Sequence, residues 1–231
     1  ESLDSIVVDS TYRLEIFISK FNKENQLLWI KKLEGANDEF ASEICINSND
    51  DILVTGYFRS KMDFDPSDSE FFLETENWWE PFVLKLDSNG NFEWVKSFKG
   101  IGIAFDIDTD SEDNIVVSGW FENETDFDPS ENESILSSLD QDVFICKLNP
   151  LGELIWVNKY GGKEWDVAFS HAIDKSNNIV ITGWFRDTMI TMIEDQIVNL
   201  SSFGGNDAFI LKLDEDGKEK WLKKNGHLCD F

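Results

Sequence analysis

Residues 82–100 read FVLKLDSNGNFEWVKSFKG, and three further copies of this pattern decide the fold. The copies are FISKFNKENQLLWIKK at 17–32, FICKLNPLGELIWVNK at 144–159 and FILKLDEDGKEKWLKK at 209–224. Each copy carries a lysine nine residues before a tryptophan, and the tryptophans recur every 62 to 65 residues. A fixed period of this length indicates a supersecondary unit that buries its apolar face only by stacking on its neighbours. The chain is therefore predicted to be a repeat array.

A second block repeats in step with the first. It reads ILVTGYF at 52–58, IVVSGWF at 115–121 and IVITGWF at 179–185. Each unit holds four short runs rich in β-branched and aromatic residues, and none is long enough for a typical helix. Four antiparallel strands per tandem unit are typical of a β-propeller blade. The predicted fold class is all-β, a β-propeller segment of four-stranded antiparallel blades, with an open β-solenoid as the alternative.

Two sets of tight turns support this prediction. The turns between the last two strands of each unit end at Asn25, Gly90, Gly152 and Gly217. Glycine and asparagine accept a left-handed backbone at the least cost, as a type I turn followed by a β-bulge requires. The second set is rich in Asp and Asn, whose side chains can accept hydrogen bonds from nearby backbone amides. It lies at 47–51, 110–114 and 174–178.

The whole chain, 1–231, is predicted to be one array, because no Pro/Gly/Ser-rich linker divides it. The complete blades are expected at about 39–98, 103–160 and 166–224, and 14–33 is expected to form the outer two strands of a preceding blade. This gives about three complete blades plus a half blade. Since a closed propeller takes four or more blades, the chain is predicted to be an excerpt of a longer propeller, with neighbouring blades of that chain as its partners.

At these residues the chain resembles a known family. FVLKLDSNGNFEWVKSFKG, followed by IDTDSEDNIVVSGWF and DFDP, is similar to the tandem repeats of the SBBP (seven-bladed β-propeller repeat) family. The resemblance covers nearly the whole chain. It implies a propeller fold and a secreted or surface-attached bacterial protein, hence an extracellular or cell-surface location. It implies no shared activity.

Composition narrows the partners. The formal net charge is −26, from 46 acidic and 20 basic residues, and such a field repels phosphate backbones. We therefore expect no nucleic-acid partner, and no apolar run reaches the roughly 18 to 20 residues that membrane insertion needs. Three cysteines, Cys45, Cys146 and Cys229, occupy non-equivalent repeat positions, which favours free thiols over a disulfide framework.

Two acidic loops are candidate calcium sites. Asp-Phe-Asp-Pro occurs at 63–66 and again at 126–129, seven residues after the glycine of each second block. Alternate carboxylates on an extended turn can present hard oxygens to Ca²⁺. The alternative is that the phenylalanine fills the seam between blades while the aspartates cap the turn. The third unit has Ile190 at this place, so no ion site is expected there. The candidate ligands are Asp63, Asp65, Asp68, Asp126, Asp128 and Glu131.

The tryptophans fall into two groups. Those of the repeat, including Trp94 and Trp156, are expected to be buried between blades because they recur where the unit must pack. Trp78, Trp79 and Trp165 do not recur. Loop aromatics of this kind can stack on a sugar or a protein partner, although packing over a blade edge is the alternative.

Other chemistry-bearing positions are few. Glu43, Asp106 and Ser170 are equivalent positions of the inner strands and could face a central channel, whereas His171 is expected to be a core histidine. Zinc-ligand spacing, a phosphate-binding glycine loop and a nucleophile motif are absent from the sequence. No catalytic residue and no cofactor are therefore predicted, calcium excepted.

Three functions are compatible with the sequence. The leading prediction is a non-catalytic propeller scaffold or binding module for a protein or a carbohydrate. The alternatives are a propeller hydrolase or lyase acting on saccharides and an ion-stabilised structural spacer. Acidic groups that converge with Trp78 or Trp165 in one concave pocket would favour the enzyme.

Overall fold

The computed structural model describes residues 14–193 and 196–225, and all the regular structure among them is β-strand. This confirms the all-β prediction. The strands are β1 (Ile16–Phe21), β2 (Leu27–Gly35), β3 (Phe40–Ile46), β4 (Ile52–Phe58), β5 (Lys61–Asp63), β6 (Phe72–Glu74), β7 (Glu80–Leu86), β8 (Phe92–Ser97), β9 (Lys99–Thr109), β10 (Ile115–Asp126), β11 (Ile135–Ser137), β12 (Asp142–Leu148), β13 (Leu154–Tyr160), β14 (Asp166–Ile173), β15 (Ile179–Ile193), β16 (Gln196–Leu213) and β17 (Glu219–Asn225).

The strands pair as antiparallel blades. Blade 1 has the order β3-β4-β7-β8, blade 2 has β9-β10-β12-β13 and blade 3 has β14-β15-β16-β17. The half blade is the pair β1-β2, and its sheet is extended by the hairpin β5-β6. The short strand β11 pairs with the end of β10, as β6 pairs with β5. The described part of the chain contains no helix with the length and apolar character needed to cross a membrane.

The core lies in the seams between successive sheets. One cluster joins the half blade to blade 1, with Ile18 and Leu33 against Val54 and Phe82. A second joins blade 1 to blade 2, and a third joins blade 2 to blade 3. Strands β7 and β12 are buried on both faces because each has a sheet on either side. Burial of both faces explains why these strands lack the simple apolar-polar alternation of a one-sided sheet.

A β-bulge accounts for the glycine of the repeated second block. The pairing of the first two strands shifts register between Ala41 and Glu43, and again at the equivalent places in blades 2 and 3. A Cβ added at Gly56 would lie 1.9 Å from the Phe40 carbonyl oxygen, and the same distance separates such a Cβ at Gly119 from the Ile103 oxygen. The backbones approach so closely that only glycine fits there.

The turns adopt the left-handed backbone that the sequence predicts. Asn25 has φ of 60°, and the three equivalent glycines have φ of 76° to 78°. The register shifts in each of these hairpins at the residue before the turn, as a bulged hairpin requires. In the other set of turns, the Asn47 side-chain oxygen accepts hydrogen bonds from the Asn49 and Asp51 amides.

The repeat tryptophans correct one expectation. Trp94 and Trp156 are partly buried, not enclosed in the core. Each indole lies against the turn of the following blade, and a Cβ added at Gly152 would be 3.2 Å from the Trp94 ring. Trp156 also donates a hydrogen bond from Nε1 to the Glu215 carbonyl oxygen at 3.3 Å. The two tryptophans do pack between blades, as expected, but they are only partly buried because they lie on the outermost strand of each blade, at the end of the seam.

Candidate functional site

One edge of the array carries most of the candidate residues. The second strand of each blade ends opposite the start of the third, as in the pairs Phe58–Glu80 and Phe121–Asp142. The loops between these two strands therefore emerge at the same edge as the loops that enter each first strand. We call this edge the loop edge. Trp78, Trp79 and Trp165 lie in its loops, and the two Asp-Phe-Asp-Pro segments begin at the last residues of β5 and β10.

Trp78 is a strongly exposed aromatic residue of the loop edge, with 61% of its surface accessible to solvent. The Arg59 guanidinium carbon stands 4.0 Å from the centroid of its ring. A guanidinium over an indole face is an attractive cation–π contact, which restrains the ring while most of the Trp78 surface stays exposed. A large ordered aromatic surface at low conformational cost is a common feature of binding surfaces.

Trp79 connects two blades. Its ring makes edge-to-face contacts with Tyr57 of blade 1 at 6.3 Å and with Trp120 of blade 2 at 6.0 Å between centroids. Its carbonyl oxygen accepts a hydrogen bond from the Gly102 amide at 2.9 Å. Trp78 is thus attached to a rigid neighbour. Trp165 is 47% exposed and precedes blade 3, and no ring contact joins it to Trp78 or Trp79 among residues 14–193 and 196–225.

Three surface cavities are lined by described residues. The largest of these, about 430 Å³, lies between Ile30–Glu34 and Asp63–Ser67. A second of about 290 Å³ lies between β1 and β3, and a third of about 280 Å³ is lined by Glu164, Arg186 and the Ser202–Gly205 segment. Trp78, Trp79 and Trp165 line none of these three cavities. The convergence of acids and tryptophans that would favour a saccharide-cleaving enzyme is not found in them.

The Asp-Phe-Asp-Pro loops have the same geometry in blades 1 and 2. Asp63 Oδ1 accepts hydrogen bonds from the Asp65 amide at 3.1 Å and the Phe71 amide at 2.8 Å. Asp126 Oδ1 accepts from the Asp128 and Ser134 amides at 3.0 and 2.8 Å. Phe64 and Phe127 are fully buried in the seams. The aspartates therefore cap the turns and the phenylalanines fill the seams, which is the alternative to a calcium site.

The other carboxylate oxygens of these loops do not converge into a metal site within the described residues. Asp68 and Glu131 are exposed, and the described ranges contain no group of three or more His, Cys, Asp or Glu side chains placed to hold a metal ion. Calcium at Asp63, Asp65, Asp126 and Asp128 stays a prediction. In blade 3 the corresponding loop is a long hairpin that continues β15 and β16, and Ile190 lies in it.

The inner strands bring together a buried histidine and its partners. Ser118 Oγ lies 2.8 Å from His171 Nδ1, and Asp106 Oδ2 accepts a hydrogen bond from the His171 amide at 2.6 Å. Burial lowers the pKa of His171, although the charges of Asp106 and Asp108 oppose that effect. His171 is therefore a neutral core residue between blades 2 and 3, as expected, but its buried Nε2 has no hydrogen-bond partner among the described residues, so it is not the fully satisfied histidine that was predicted. Asp106 is also buried, whereas Glu43 and Ser170 are exposed, so these equivalent positions do not share one environment.

A pair of buried carboxylates at the loop edge was not predicted from the sequence. Asp142 Oδ2 forms an ion pair with Lys159 at 2.8 Å, and Asp166 accepts hydrogen bonds from the Gly162 and Arg186 amides. A Cβ added at Gly161 would lie 2.1 Å from Asp142 Oδ1 and 2.8 Å from Asp166 Oδ2. Burial raises the pKa of Asp166 to about 8, and the nearby Asp142 adds to the effect. Burial therefore favours the neutral form of Asp166 at the seam of blades 2 and 3, whereas the two amides that donate to its carboxyl oxygens favour the charged form.

A signal for part of this pair was present in the repeat. An acid stands five residues before each repeat lysine, and in three units a lysine stands three residues after the tryptophan. These residues pair within their own sheets as Glu15–Lys32, Asp142–Lys159 and Asp207–Lys224. In blade 1 Ser97 replaces the lysine, and Glu80 accepts hydrogen bonds from Thr75 and Asn77 instead.

The thiols also follow expectation where they are described. Cys45 and Cys146 are free. Burial raises the pKa of the Cys45 thiol to about 12, and burial raises that of Cys146 as well. Cys229 lies outside the described residues, as does His227.

The comparisons with known proteins find similarity to a repeat protein and name no activity. No protein-family model matches the chain. An uncharacterized WD repeat-containing protein of Acanthamoeba polyphaga mimivirus is 22% identical to this chain, in an alignment that covers 87% of the chain. The match spans only 17% of that protein's length. It supports a repeat of the β-propeller type and leaves the SBBP family as a prediction.

A solved structure also resembles the chain. It is a crystal structure of a protein of unknown function from Bacteroides caccae, with 12% identity, 90% of each chain covered and a TM-score of 0.31. A TM-score this low carries no inference about fold or function.

Proposed function

We propose that this chain is a non-catalytic scaffold whose binding surface is the Trp78 patch, formed by Arg59, Trp78 and Trp79 on the loop edge. The observation that carries the proposal is the 61% exposure of a tryptophan that is nevertheless held by Arg59 and by a neighbour locked between two blades. Exposed and ordered aromatic rings beside an arginine are the residues that dominate binding energy at protein surfaces.

Similarity to a WD repeat-containing protein supports the scaffold part of the proposal. A propeller-type repeat provides rigid sheets on which loop residues are displayed, and function then depends on the loops. The ligand is a protein segment or a carbohydrate, because both can stack on an open indole face. A location outside the cell or on its surface belongs to the same proposal and rests on the resemblance to SBBP repeats.

The test is a binding screen with matched variants. Wild-type protein, Trp78→Ala and the control Leu139→Ala are applied to an oligosaccharide array and to a phage library of random peptides. Leu139 is 81% exposed but lies outside the patch. Bound ligands are expected to lose at least about tenfold in affinity with Trp78→Ala and to keep it with Leu139→Ala. Ligands that bind all three proteins equally would contradict the proposal, and cleavage of a bound oligosaccharide would show an enzyme.

A further inference from the structure

The seam between blades 2 and 3 contains two buried carboxylates and one lysine. Asp142 of β12 and Asp166 of β14 are 1% and 0% exposed, so the fold removes both from water. Lys159 pairs with Asp142 Oδ2 at 2.8 Å and also donates to the Ser137 carbonyl oxygen. One positive charge therefore faces two carboxylates in a place where an uncompensated charge is strongly unfavourable.

The unsatisfied atom of this group is Asp142 Oδ1. It is buried and has no hydrogen-bond partner among the described residues. The Gly162 amide acts on both carboxylates, but its hydrogen bond, at 2.9 Å, goes to Asp166 Oδ2. A Cβ added at Gly161 would lie 2.1 Å from Asp142 Oδ1 and 2.8 Å from Asp166 Oδ2, so the two oxygens lie beside the same point. A buried acceptor without a donor is costly, and a protonated carboxyl group is a donor.

The seam between the half blade and blade 1 repeats this composition. Glu39 occupies in blade 1 the position that Asp166 has in blade 3, and it is 1% exposed. The half blade supplies Glu15 and Lys32, which pair at 2.8 Å. Two acids and one lysine thus occur together in two of the seams.

The seam between blades 1 and 2 lacks the lysine and the second acid at once. Glu80 keeps the position of Asp142, but Ser97 replaces the lysine and Gly102 replaces the second acid. Glu80 accepts hydrogen bonds from two neighbouring side chains there. The lysine and the second acid are therefore present together or absent together, which indicates that they act as one unit. This seam is also an internal control.

We infer that Asp142 and Asp166 share one proton, which holds blade 2 to blade 3 and is released at alkaline pH. The protonated carboxyl donates to the other carboxylate, so Asp142 Oδ1 gains a partner and the two acids with Lys159 become neutral. Such a hydrogen bond is short and charge-assisted, and the proton belongs to the pair and not to either residue. When the proton leaves, two like charges face each other in the seam, and their repulsion opens it.

The charges around the pair act in both directions. Other charged side chains on the surrounding elements are Asp140, Lys159, Lys163, Glu164, Arg186 and Asp187. Burial raises the pKa of both carboxyl groups, and that of Asp166 reaches about 8. Asp140 and Asp187 also favour the proton, whereas Lys159 opposes it. The remaining three side chains are exposed. The proton is therefore held at neutral pH and released above it.

Infrared difference spectroscopy detects the proton directly. A protonated carboxyl group has a C=O stretching band that a carboxylate lacks, and ordinary aspartates and glutamates are ionised at pH 7. The difference between wild type and Asp166→Asn is recorded from pH 6 to pH 10. The band is expected at pH 7 and should disappear with a midpoint at about pH 8. In Asp142→Asn, compared with the double variant, the midpoint should fall by at least about one pH unit because the carboxylate that accepts the proton is gone.

Two matched backbone hydrogen bonds report on the seams. The Asp166 amide donates to the Gln141 carbonyl oxygen at 2.7 Å across the seam of blades 2 and 3. The Gly102 amide donates to the Trp79 carbonyl oxygen at 2.9 Å across the control seam. Hydrogen exchange of both amides is measured at pH 7 and pH 9 and corrected for intrinsic rates. Protection at residue 166 should fall by at least about tenfold relative to Gly102, because opening follows the loss of one proton.

Two variants test the cause of this opening. Asp166→Asn carries an amide that can donate to Asp142 at any pH, so its seam should stay protected at pH 9. Asp187→Asn is the control, because it removes a charge beside the pair without supplying a donor, at a φ of 62° that asparagine tolerates. It should lose protection at pH 9 as the wild type does.

Three results would overturn the inference: no protonated band at pH 7, a midpoint unchanged in Asp142→Asn, or equal loss of protection at both amides. A bound cation in place of the proton would also overturn it, since the band would be absent and protection would change when choline chloride replaces NaCl. Near-ultraviolet circular dichroism checks that each variant is folded. If Asp142→Asn does not fold, Gly161→Ala gives the same comparison, because its Cβ lies beside both oxygens, separates them and should lower the midpoint.

Discussion

Gly152 of blade 2 lies on the indole ring of Trp94 in blade 1, so closely that a Cβ on the glycine would be 3.2 Å from the ring and 2.9 Å from the Lys96 side chain. The glycine also has φ of 76°, in the left-handed region. The same residue thus ends a hairpin in one blade and completes the seam with another. Gly90 and Gly217 have this double role in the neighbouring seams.

The first prediction concerns this glycine. Gly152→Ala should lower the free energy of unfolding by about 1 to 2 kcal/mol, because alanine resists the left-handed backbone. Urea unfolding measures the change. Gly152→Asn separates backbone strain from crowding of the Trp94 ring. Asparagine tolerates the left-handed backbone, as Asn25 does at φ of 60°, but it still brings a Cβ to Trp94. An unchanged Gly152→Ala protein would show that neither constraint operates in solution.

The second prediction compares two aromatic residues of one seam. Phe127 is fully buried and touches Phe121 and Phe144, so Phe127→Ala should cost about 3 to 5 kcal/mol. Trp94 is only partly buried, and Trp94→Ala should cost less, about 1 to 3 kcal/mol. Denaturant unfolding of both variants gives the order. If Trp94→Ala proved the more damaging, the position assigned to this residue at the end of the seam would be wrong.

The third prediction is a pH dependence that originates at Asp166. Its pKa is raised from 3.8 to about 8 in the folded protein, so the folded state binds the proton that the unfolded state has lost between those pH values. Stability from this group is therefore greatest at low pH and falls as pH rises through the window, by at most about 1.4 kcal/mol per pH unit.

Asp166→Asn provides the test, because the amide resembles the neutral acid and does not titrate. Unfolding free energies are measured at pH 5, 7 and 9 for wild type and variant. The stability of the variant relative to wild type should increase with pH. Parallel curves for the two proteins would mean that Asp166 is charged in the fold at neutral pH.

The fourth prediction concerns calcium. Any calcium bound by this chain is expected at the Asp63–Asp65 and Asp126–Asp128 loops, since Ca²⁺ needs about six to eight oxygen ligands and Ile190 supplies none at the third loop. The melting temperature should then rise with free Ca²⁺ at matched ionic strength. Asp65→Asn with Asp128→Asn should abolish the rise, and Asp216→Asn, in a distant turn, should not. Equal melting temperatures in calcium and chelator, with no heat by titration calorimetry, would leave the loops as turns and seam fillers.

The strand pattern could be predicted because the same sequence pattern recurs in each repeat of the chain. The register of β7 with β8, for example, depends on Asp87-Ser88-Asn89-Gly90, where a left-handed residue is needed and glycine is supplied. The bulge opposite Gly56 was not predicted. A glycine in a strand is compatible with a bulge, a bend or a ligand contact. The structure distinguishes these explanations, because a Cβ added at Gly56 would lie 1.9 Å from the Phe40 carbonyl oxygen.

The candidate site was less accessible to prediction for a different reason. Trp78 and Trp79 are adjacent in sequence but have different roles, because one is 61% exposed under Arg59 and the other bridges Tyr57 and Trp120. Residues that occur once give no repeat pattern to interpret. The Asp142 and Asp166 carboxylates belong to different blades, and their proximity follows from the stacking of the sheets and not from any local spacing.

The ion pairs Asp142–Lys159 and Asp207–Lys224 link strands of one sheet, whereas the contacts of Trp94 with Gly152 and of Trp156 with Glu215 link one sheet to the next. Cohesion within a blade and adhesion between blades therefore depend largely on different side chains, although Lys147 serves both, through Asp110 of its own blade and the Glu215 carbonyl oxygen of blade 3. A pulling force along the array would load the seams first, because a seam lacks the continuous ladder of backbone hydrogen bonds that holds a sheet. Mechanical yielding would then proceed blade by blade, with each sheet intact as it separates from its neighbour.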